Sequence, residues 1–343
     1  MKKNQIFALW IFVFVVLASL AFWSCGGGGG GGEVPETNVA LTAENSPKAA
    51  AGILKALDIA NALQGISGII SPATSSEGAS MTQSPIGSLL MMTTTALKKN
   101  EQGTTSYTSG SFPIGYSRTV ECPDGGTMVL RNASWTSPDP LTEDNFEEAV
   151  NFKSDVTFNS CKKSTVTLNG SGNVAVTGVL SSPSAVTVSG SLTYSDSSTS
   201  TTLVLTNTKV TVSNIAPDYD MSNATIFIEY GTLQATIAGE NSLLRFKNFT
   251  VGLASIPTGT MATLSGQIRS GCLETWLTVS TTSPVTILNG ETCPTEGIVS
   301  ASYNGNTIRA VIASAPPNIT LYFNGTPLGT TYESCTDLKA TCP

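Results

Sequence analysis

Three sets of side chains in this sequence are of types that could do chemistry. Glu229, Glu240 and Glu274 lie on or beside strand-like stretches. Carboxylates working in pairs hydrolyse glycosides, one as acid and the other as base or nucleophile. Ser160-Cys161-Lys162-Lys163 has the spacing of a serine nucleophile with a lysine base. It lacks both the helical context and the companion K-T-G of such enzymes. Asp218-x-Asp220 and the stretch from Asp139 to Glu148 offer oxygen ligands, yet neither has the glycine turn of a calcium loop. For all three sets the expectation is solvated acids and loops. Histidine is absent from the chain. That excludes Ser-His-Asp and Cys-His catalysis, His-ligated metals and covalent c-type haem. The chain is therefore expected to be no enzyme and to use no metal or cofactor.

The cysteines carry the stronger signal. Cys25 follows a basic pair, Lys2-Lys3, and an apolar run from Ile6 to Trp23, and it precedes seven consecutive glycines. Basic n-region and apolar h-region make a signal peptide. Its end, Phe22-Trp23-Ser24-Cys25, reads as a lipobox: apolar at −3, small at −1, then the cysteine whose thiol takes the lipid. The competing reading is an uncleaved anchor, since Ile6–Trp23 is eighteen residues, the lower limit for spanning a bilayer. A span needs no Cys followed by glycines, so lipidation at Cys25 is preferred. Multiple acyl chains give lasting attachment. Gly26, in place of an Asp after the cysteine, favours the bacterial outer membrane, with the body facing the periplasm or the cell surface.

Glycine runs have no side chains to pack, so Gly26–Gly32 is expected to be a leash. Its trivial match to G-x-G-x-x-G has neither the preceding strand nor the following helix of a dinucleotide site. Six cysteines remain beyond it: Cys122, Cys161, Cys272, Cys293, Cys335 and Cys342. An even count in an exported chain reads as three disulfides. Sequential pairing is expected: Cys122–Cys161, Cys272–Cys293 and Cys335–Cys342. No C-x-x-C is present to suggest a metal or redox site.

Removing residues 1–24 takes away two lysines and leaves 15 basic and 24 acidic residues, net −9. Such a body is a poor partner for nucleic acid. Charged residues are 12% of the chain, about half the usual share, and Thr, Ser, Gly and Asn take their place.

These residues need elements to position them. The expected organisation is a signal peptide over 1–24, a tether over 25–45, a helical segment over 46–100 and a β domain over 101–343. Ser46-Pro47 signals a helix start. Ile53, Leu57, Ala60 and Leu63 share one face of an amphipathic helix over Ala49–Leu63. A second helix is expected over Pro85–Lys98. From about Tyr107 the period becomes two, as in Thr165-Val166-Thr167-Leu168. Further strands read at Ala185–Tyr194, Thr202–Val212, Ala224–Tyr230, Thr232–Ala238, Ser242–Val251, Thr260–Arg269, Ile298–Ser302, Thr307–Ala313 and Asn318–Phe323. Hairpin turns are signalled by Asp124-Gly125, Asn169-Gly170, Asn289-Gly290, Asn304-Gly305 and Asn324-Gly325. The expected fold is mainly β: an antiparallel meander forming a curved sheet, open barrel or sandwich, with one or two N-terminal helices packed on it.

Six sequons, at Asn132, Asn169, Asn223, Asn248, Asn318 and Asn324, are read as Asn/Thr/Ser bias rather than as glycan sites. Trp135 and Trp276 could stack on sugars; core or sheet-face aromatics are the expectation.

The body also resembles a group of poorly characterised proteobacterial lipoproteins over roughly residues 115–325. The matching segments are Glu121-Cys122-Pro123-Asp124-Gly125-Gly126-Thr127, Val156-Thr157-Phe158-Asn159-Ser160-Cys161, Thr167-Leu168-Asn169-Gly170-Ser171, Gly271-Cys272-Leu273, Cys293-Pro294-Thr295-Glu296-Gly297 and Tyr303-Asn304-Gly305-Asn306-Thr307. The resemblance implies a β fold and pairing of Cys122 with Cys161 and of Cys272 with Cys293, and no activity. The leading functional expectation is a lipid-anchored envelope protein of structural or binding role, held to the membrane through Cys25, with an envelope protein or apolar ligand as partner. The alternatives are a carrier or chaperone holding an apolar ligand in a sheet–helix cavity, and a carbohydrate-active enzyme using paired carboxylates.

Overall fold

The computed structural model describes residues 38–64, 110–112, 114–139, 145, 148–216, 222–237, 239–289, 291, 293–315 and 318–342. The signal peptide, Cys25, the glycine run, the second helix at Pro85–Lys98 and the Asp218/Asp220 pair lie outside these residues.

Fourteen antiparallel strands follow one another in a single sheet whose spatial order is the chain order. They are β1 (Ser117–Glu121), β2 (Thr127–Ser134), β3 (Lys153–Lys163), β4 (Val166–Val179), β5 (Ser182–Asp196), β6 (Thr201–Ser213) and β7 (Thr225–Ile237). The series continues with β8 (Glu240–Ile256), β9 (Gly259–Ser270), β10 (Leu273–Leu288), β11 (Glu296–Tyr303), β12 (Asn306–Ile312), β13 (Ile319–Phe323) and β14 (Thr326–Tyr332). The sheet does not close into a barrel: β1 and β14 are its two edges. On β14, Pro327 and a register shift interrupt the ladder with β13, features that keep an edge from recruiting another strand. Among the described residues two helices pack against the sheet, α1 (Ser46–Gln64) and the short α2 (Cys335–Lys339).

A meander this wide must bend to cover its apolar face, and the bend has a chemical origin. Ser160, Asn207 and Asn248 adopt positive φ (49°, 45° and 47°) inside β3, β6 and β8, each where the ladder register shifts. These are β-bulges, which bend a strand and raise its twist. Glycines sit opposite them on neighbouring strands. Gly231 has φ 143°, and a Cβ there would lie 2.6 Å from Thr208 Cα. Gly266 has φ 122°, and a Cβ there would lie 2.6 Å from Phe249 Cα. Bulge and glycine together form a crease that runs from strand to strand, the device by which sheets acquire curvature. Each bulge also switches which residues point inward. On β8, Leu244 and Phe246 are buried before it, Phe249 and Val251 after it.

The crease explains two departures from the sequence reading. Ala224–Tyr230 and Thr232–Ala238 are not two strands: β7 runs through Gly231, which is a kink rather than a turn. Asn169-Gly170 is not a hairpin turn but lies within β4, where the Asn169 side-chain oxygen accepts the backbone N–H of the Ser160 bulge at 2.7 Å. Asp124-Gly125, Asn304-Gly305 and Asn324-Gly325 do connect consecutive strands as expected.

Helix α1 is buried around most of its circumference, not along one stripe. Ala49, Ala50, Ala51, Ile53, Leu54, Ala56, Leu57, Ile59, Ala60 and Leu63 are all at most 2% exposed. Strands β7 to β13 curl around it and α2 covers what they leave. A helix apolar over most of its surface suits a core, and its alanines let strands approach from several directions. The segment before α1 is seated too. Leu41 is buried, the Asn306 amide donates to the Leu41 carbonyl at 3.0 Å, and the Thr275 hydroxyl donates to the Val39 carbonyl. The compact body therefore begins at Asn38, within the stretch expected to be tether.

The disulfides are Cys122–Cys161, Cys272–Cys342 and Cys293–Cys335, with Cα–Cα distances of 5.4, 5.2 and 5.5 Å. The first is as expected. The sequential pairs Cys272–Cys293 and Cys335–Cys342 are not formed, because Cys272 and Cys293 flank opposite ends of β10. The C-terminal segment instead runs from one end of β10 to the other and is stapled at both. Cys335 and Cys342 are seven residues apart, a reach of at most about 25 Å. A straight β10 would hold its own ends about 50 Å apart. The strap fits only because β10 is bent, with register shifts between Ser280 and Val285.

Candidate functional site

Two polar constellations stand out on this scaffold, and neither matches a catalytic expectation. The first lies beneath the C-terminal strap. Lys55, on the face of α1 turned to α2, is 6% exposed. Its ammonium donates to the carbonyl of Cys342 and, at 3.3 Å, to that of Asn241. One turn along, Asp58 pairs with Lys339 of α2 at 2.6 Å. Burial lowers the Lys55 pKa, against the pull of Glu240 and Asp58. Burial likewise raises that of Asp58, against the pull of Lys339. Both shifts mark charges held against a desolvation cost. Lys55 holds the Cys342 carbonyl and Asp58 holds Lys339, with Glu240 acting on both at longer range, so the group latches helix to strap.

The second is a depression of about 400 Å³ between the β3–β4 and β5–β6 turns, lined by Lys162, Asp196 and hydroxyls that include Thr165, Thr167, Ser197, Ser200 and Thr202. Asp196 is buried (4% exposed). It accepts from the Ser198 N–H at 2.9 Å, the Ser198 hydroxyl at 2.7 Å and the Thr199 hydroxyl at 3.1 Å. Burial works to raise its pKa, but hydrogen bonds from Ser198, Thr165 and Thr199 outweigh it and the pKa is lowered. A carboxyl lowered on folding lends stability above its unfolded value, near 3.8, and loses it as pH falls through the lower folded value. Asp196→Asn is therefore expected to be less stable than the parent by about 1–2 kcal/mol at pH 7. Denaturant melts at several pH values should show the gap closing below pH 4; a gap independent of pH would show that the charge contributes nothing.

The expected site residues do not converge. Glu229 is on the outer face of β7 and pairs with Lys209 at 2.5 Å. It lies some 26 Å along β7 from the turn bearing Glu240, far beyond the separation of a glycosidase pair. Glu274 approaches Arg269 at 3.8 Å. Ser160 is a bulge residue held by Asn169, and Lys163 is three residues along a strand from it, about 10 Å. Among the described residues no group of three acids or cysteines is placed to hold a metal. Trp135 is a core residue, edge-on to Phe112 at 6.0 Å with its indole N–H on the Pro138 carbonyl.

Three of the six sequon asparagines are backbone devices. Asn132, Asn248 and Asn324 take positive φ, and Asn324 accepts the Thr307 N–H at 2.8 Å. Asn tolerates that conformation better than other side chains.

One cross-strand row on the outer face of the sheet is uncharged over seven strands. Thr187, Thr211, Phe227, Thr250, Ser265, Ser280 and Ser300 follow one another across β5 to β11. The row ends where the Arg309 guanidinium lies 4.5 Å over the Tyr322 ring. Sequence reasoning found this surface through the period-two pattern. It missed the latch, because Lys55 and Asp58 read as the polar face of an ordinary amphipathic helix.

Comparison with protein-family models, curated proteins and solved structures finds no match for this chain.

Proposed function

We propose that this protein is a lipid-anchored cell-envelope module of structural or binding role, without enzymatic activity, tethered through Cys25 and allied to the proteobacterial lipoproteins that its motifs resemble. The observation that carries the reading is the pairing of every described cysteine in a disulfide, which suits an oxidising compartment and an exported chain. The seating of α1 favours a scaffold over a carrier. The helix fills the concavity of β7–β13, so an apolar ligand there would have to displace it. The uncharged hydroxyl row, with Phe227 within it and Tyr322 beyond its end, is the surface that an envelope partner would meet.

Metabolic labelling with a palmitate analogue tests the anchor. Label is expected on the intact protein and absent from Cys25→Ser, which should leave the membrane fraction. An unlabelled parent, or equal labelling of both, would overturn the reading. Protease added to whole cells then separates a surface-facing body from a periplasmic one.

A further inference from the structure

We infer, on the footing of the binding role proposed above, that the outer face of β5–β10 takes an acidic polysaccharide. Sugar rings pack on Tyr230, carboxylates meet Lys247, and the hydroxyl row receives the sugar hydroxyls.

Beside the uncharged row runs a second cross-strand row: Ser189, Lys209, Tyr230, Lys247, Gln267 and Thr278, one residue from each of β5 to β10. Every member carries a hydrogen-bonding group. With strands about 4.8 Å apart, the six span about 24 Å, the length of several linked sugars. Tyr230 is aimed outward by a bulge. Lys209 pairs with Tyr230 and Val210 with Ile228, so Glu229 has no opposite residue on β6 and two consecutive residues of β7 face out. Bulges re-aim side chains in this way. Tyr230 is 42% exposed, one of four large apolar side chains so exposed among the described residues. The next residue, Gly231, has no side chain to cover it.

The charges around Tyr230 favour an anion. A lysine stands opposite it on each side, Lys209 on β6 and Lys247 on β8. Arg245, exposed, faces the same way two residues before Lys247. The nearby carboxylates are engaged. Glu229 holds Lys209 at 2.5 Å, and Glu274, four residues before Thr278, approaches Arg269 at 3.8 Å. Asp155, where the row runs on to β3, accepts from Asn132 and Asn173. Among the described residues Lys247 pairs with no carboxylate. At physiological salt charges are screened over about 8 Å, so a ligand at Tyr230 senses these cations rather than the acidic body as a whole. Nucleic acid, with a charge about every 1.7 Å, needs a long stripe of cations, which two lysines and an arginine do not make. A protein partner calls for an apolar interface core, where this face has hydroxyls. A pyranose offers an apolar C–H face to an aromatic ring and hydroxyls around its edge, and a uronate adds the charge.

Isothermal titration of the full-length protein in detergent tests this, with three probes: polygalacturonate, the same polymer fully methyl-esterified, and oligodeoxythymidylate. Polygalacturonate is expected to bind. Binding should weaken at least about tenfold for the ester, for Lys247→Glu and for Tyr230→Ala. Lys162→Gln, which removes an exposed cation of β3, should leave it unchanged. Lys247 and Tyr230 are both exposed, so the fold should be kept; if Tyr230→Ala does not fold, Lys247→Glu decides. No binding of polygalacturonate, equal binding of acid and ester, or binding indifferent to the variants would overturn the assignment of this face. Tighter binding of the oligonucleotide would overturn it in favour of nucleic acid. None of these results bears on the anchor, which labelling at Cys25 decides separately.

Discussion

Leu57→Ala is expected to destabilise the fold by about 2–5 kcal/mol, the range for emptying a leucine site in a well-packed core. Leu57 is 1% exposed at the middle of α1, with strands around the helix and α2 over it. Little can move in to refill the space, because the strands are held in register by their ladders and the strap is stapled at both ends. A volume-conserving Leu57→Met should cost less than about 1.5 kcal/mol. Urea unfolding of both variants checks the pair. A cost for Leu57→Ala under about 0.5 kcal/mol, typical of a surface site, would show that α1 is not enclosed.

The second large effect concerns the strap. Replacing Cys272 and Cys342 together by serine opens a link spanning 70 residues, worth about 4 kcal/mol by the chain-entropy argument. The loss should reach beyond that link. Cys342 supplies a carbonyl to Lys55, and Lys339, three residues earlier, supplies the partner of Asp58. With the strap free, the buried Lys55 and the half-buried Asp58 gain access to water. Amide exchange should therefore quicken in α1 and α2, while β3 to β5 keep their protection. Peptide mapping of the parent under non-reducing conditions should recover Cys272 with Cys342 and Cys293 with Cys335. A fragment joining Cys272 to Cys293 would contradict the strap outright.

Some of this was legible in the residues and some was not, for reasons that can be located. Alternation such as Asn173-Val174-Ala175-Val176 reports a strand with one buried face, because side chains alternate across a pleat whatever the neighbouring strand does. Asp-Gly and Asn-Gly at 124–125, 304–305 and 324–325 report turns, because positive φ is a local requirement. The same dipeptide at 169–170 misled, since a bulge stabilised from the next strand makes a similar local demand. Gly231 misled likewise: what it accommodates is the backbone at Thr208, 23 positions away in the chain. At Asn207 and Asn248 the alternation slips by one residue. That slip was visible as a broken period, but only the paired strand shows it to be a bend rather than an end.

The sequence alone determined the class of the fold, the positions of most strands, the existence of α1, the disulfide-bonded character of the body and the absence of histidine chemistry. All of these depend on residue type or on spacing within a few positions. Only the tertiary structure decided which cysteines meet, that α1 is enclosed rather than laid on a surface, and that Lys55, Asp58 and Lys339 come together. Those outcomes depend on how far the creased sheet turns. Curvature is the sum of small rotations over many strand pairs, and it brings residue 58 to residue 339 without leaving a mark at either.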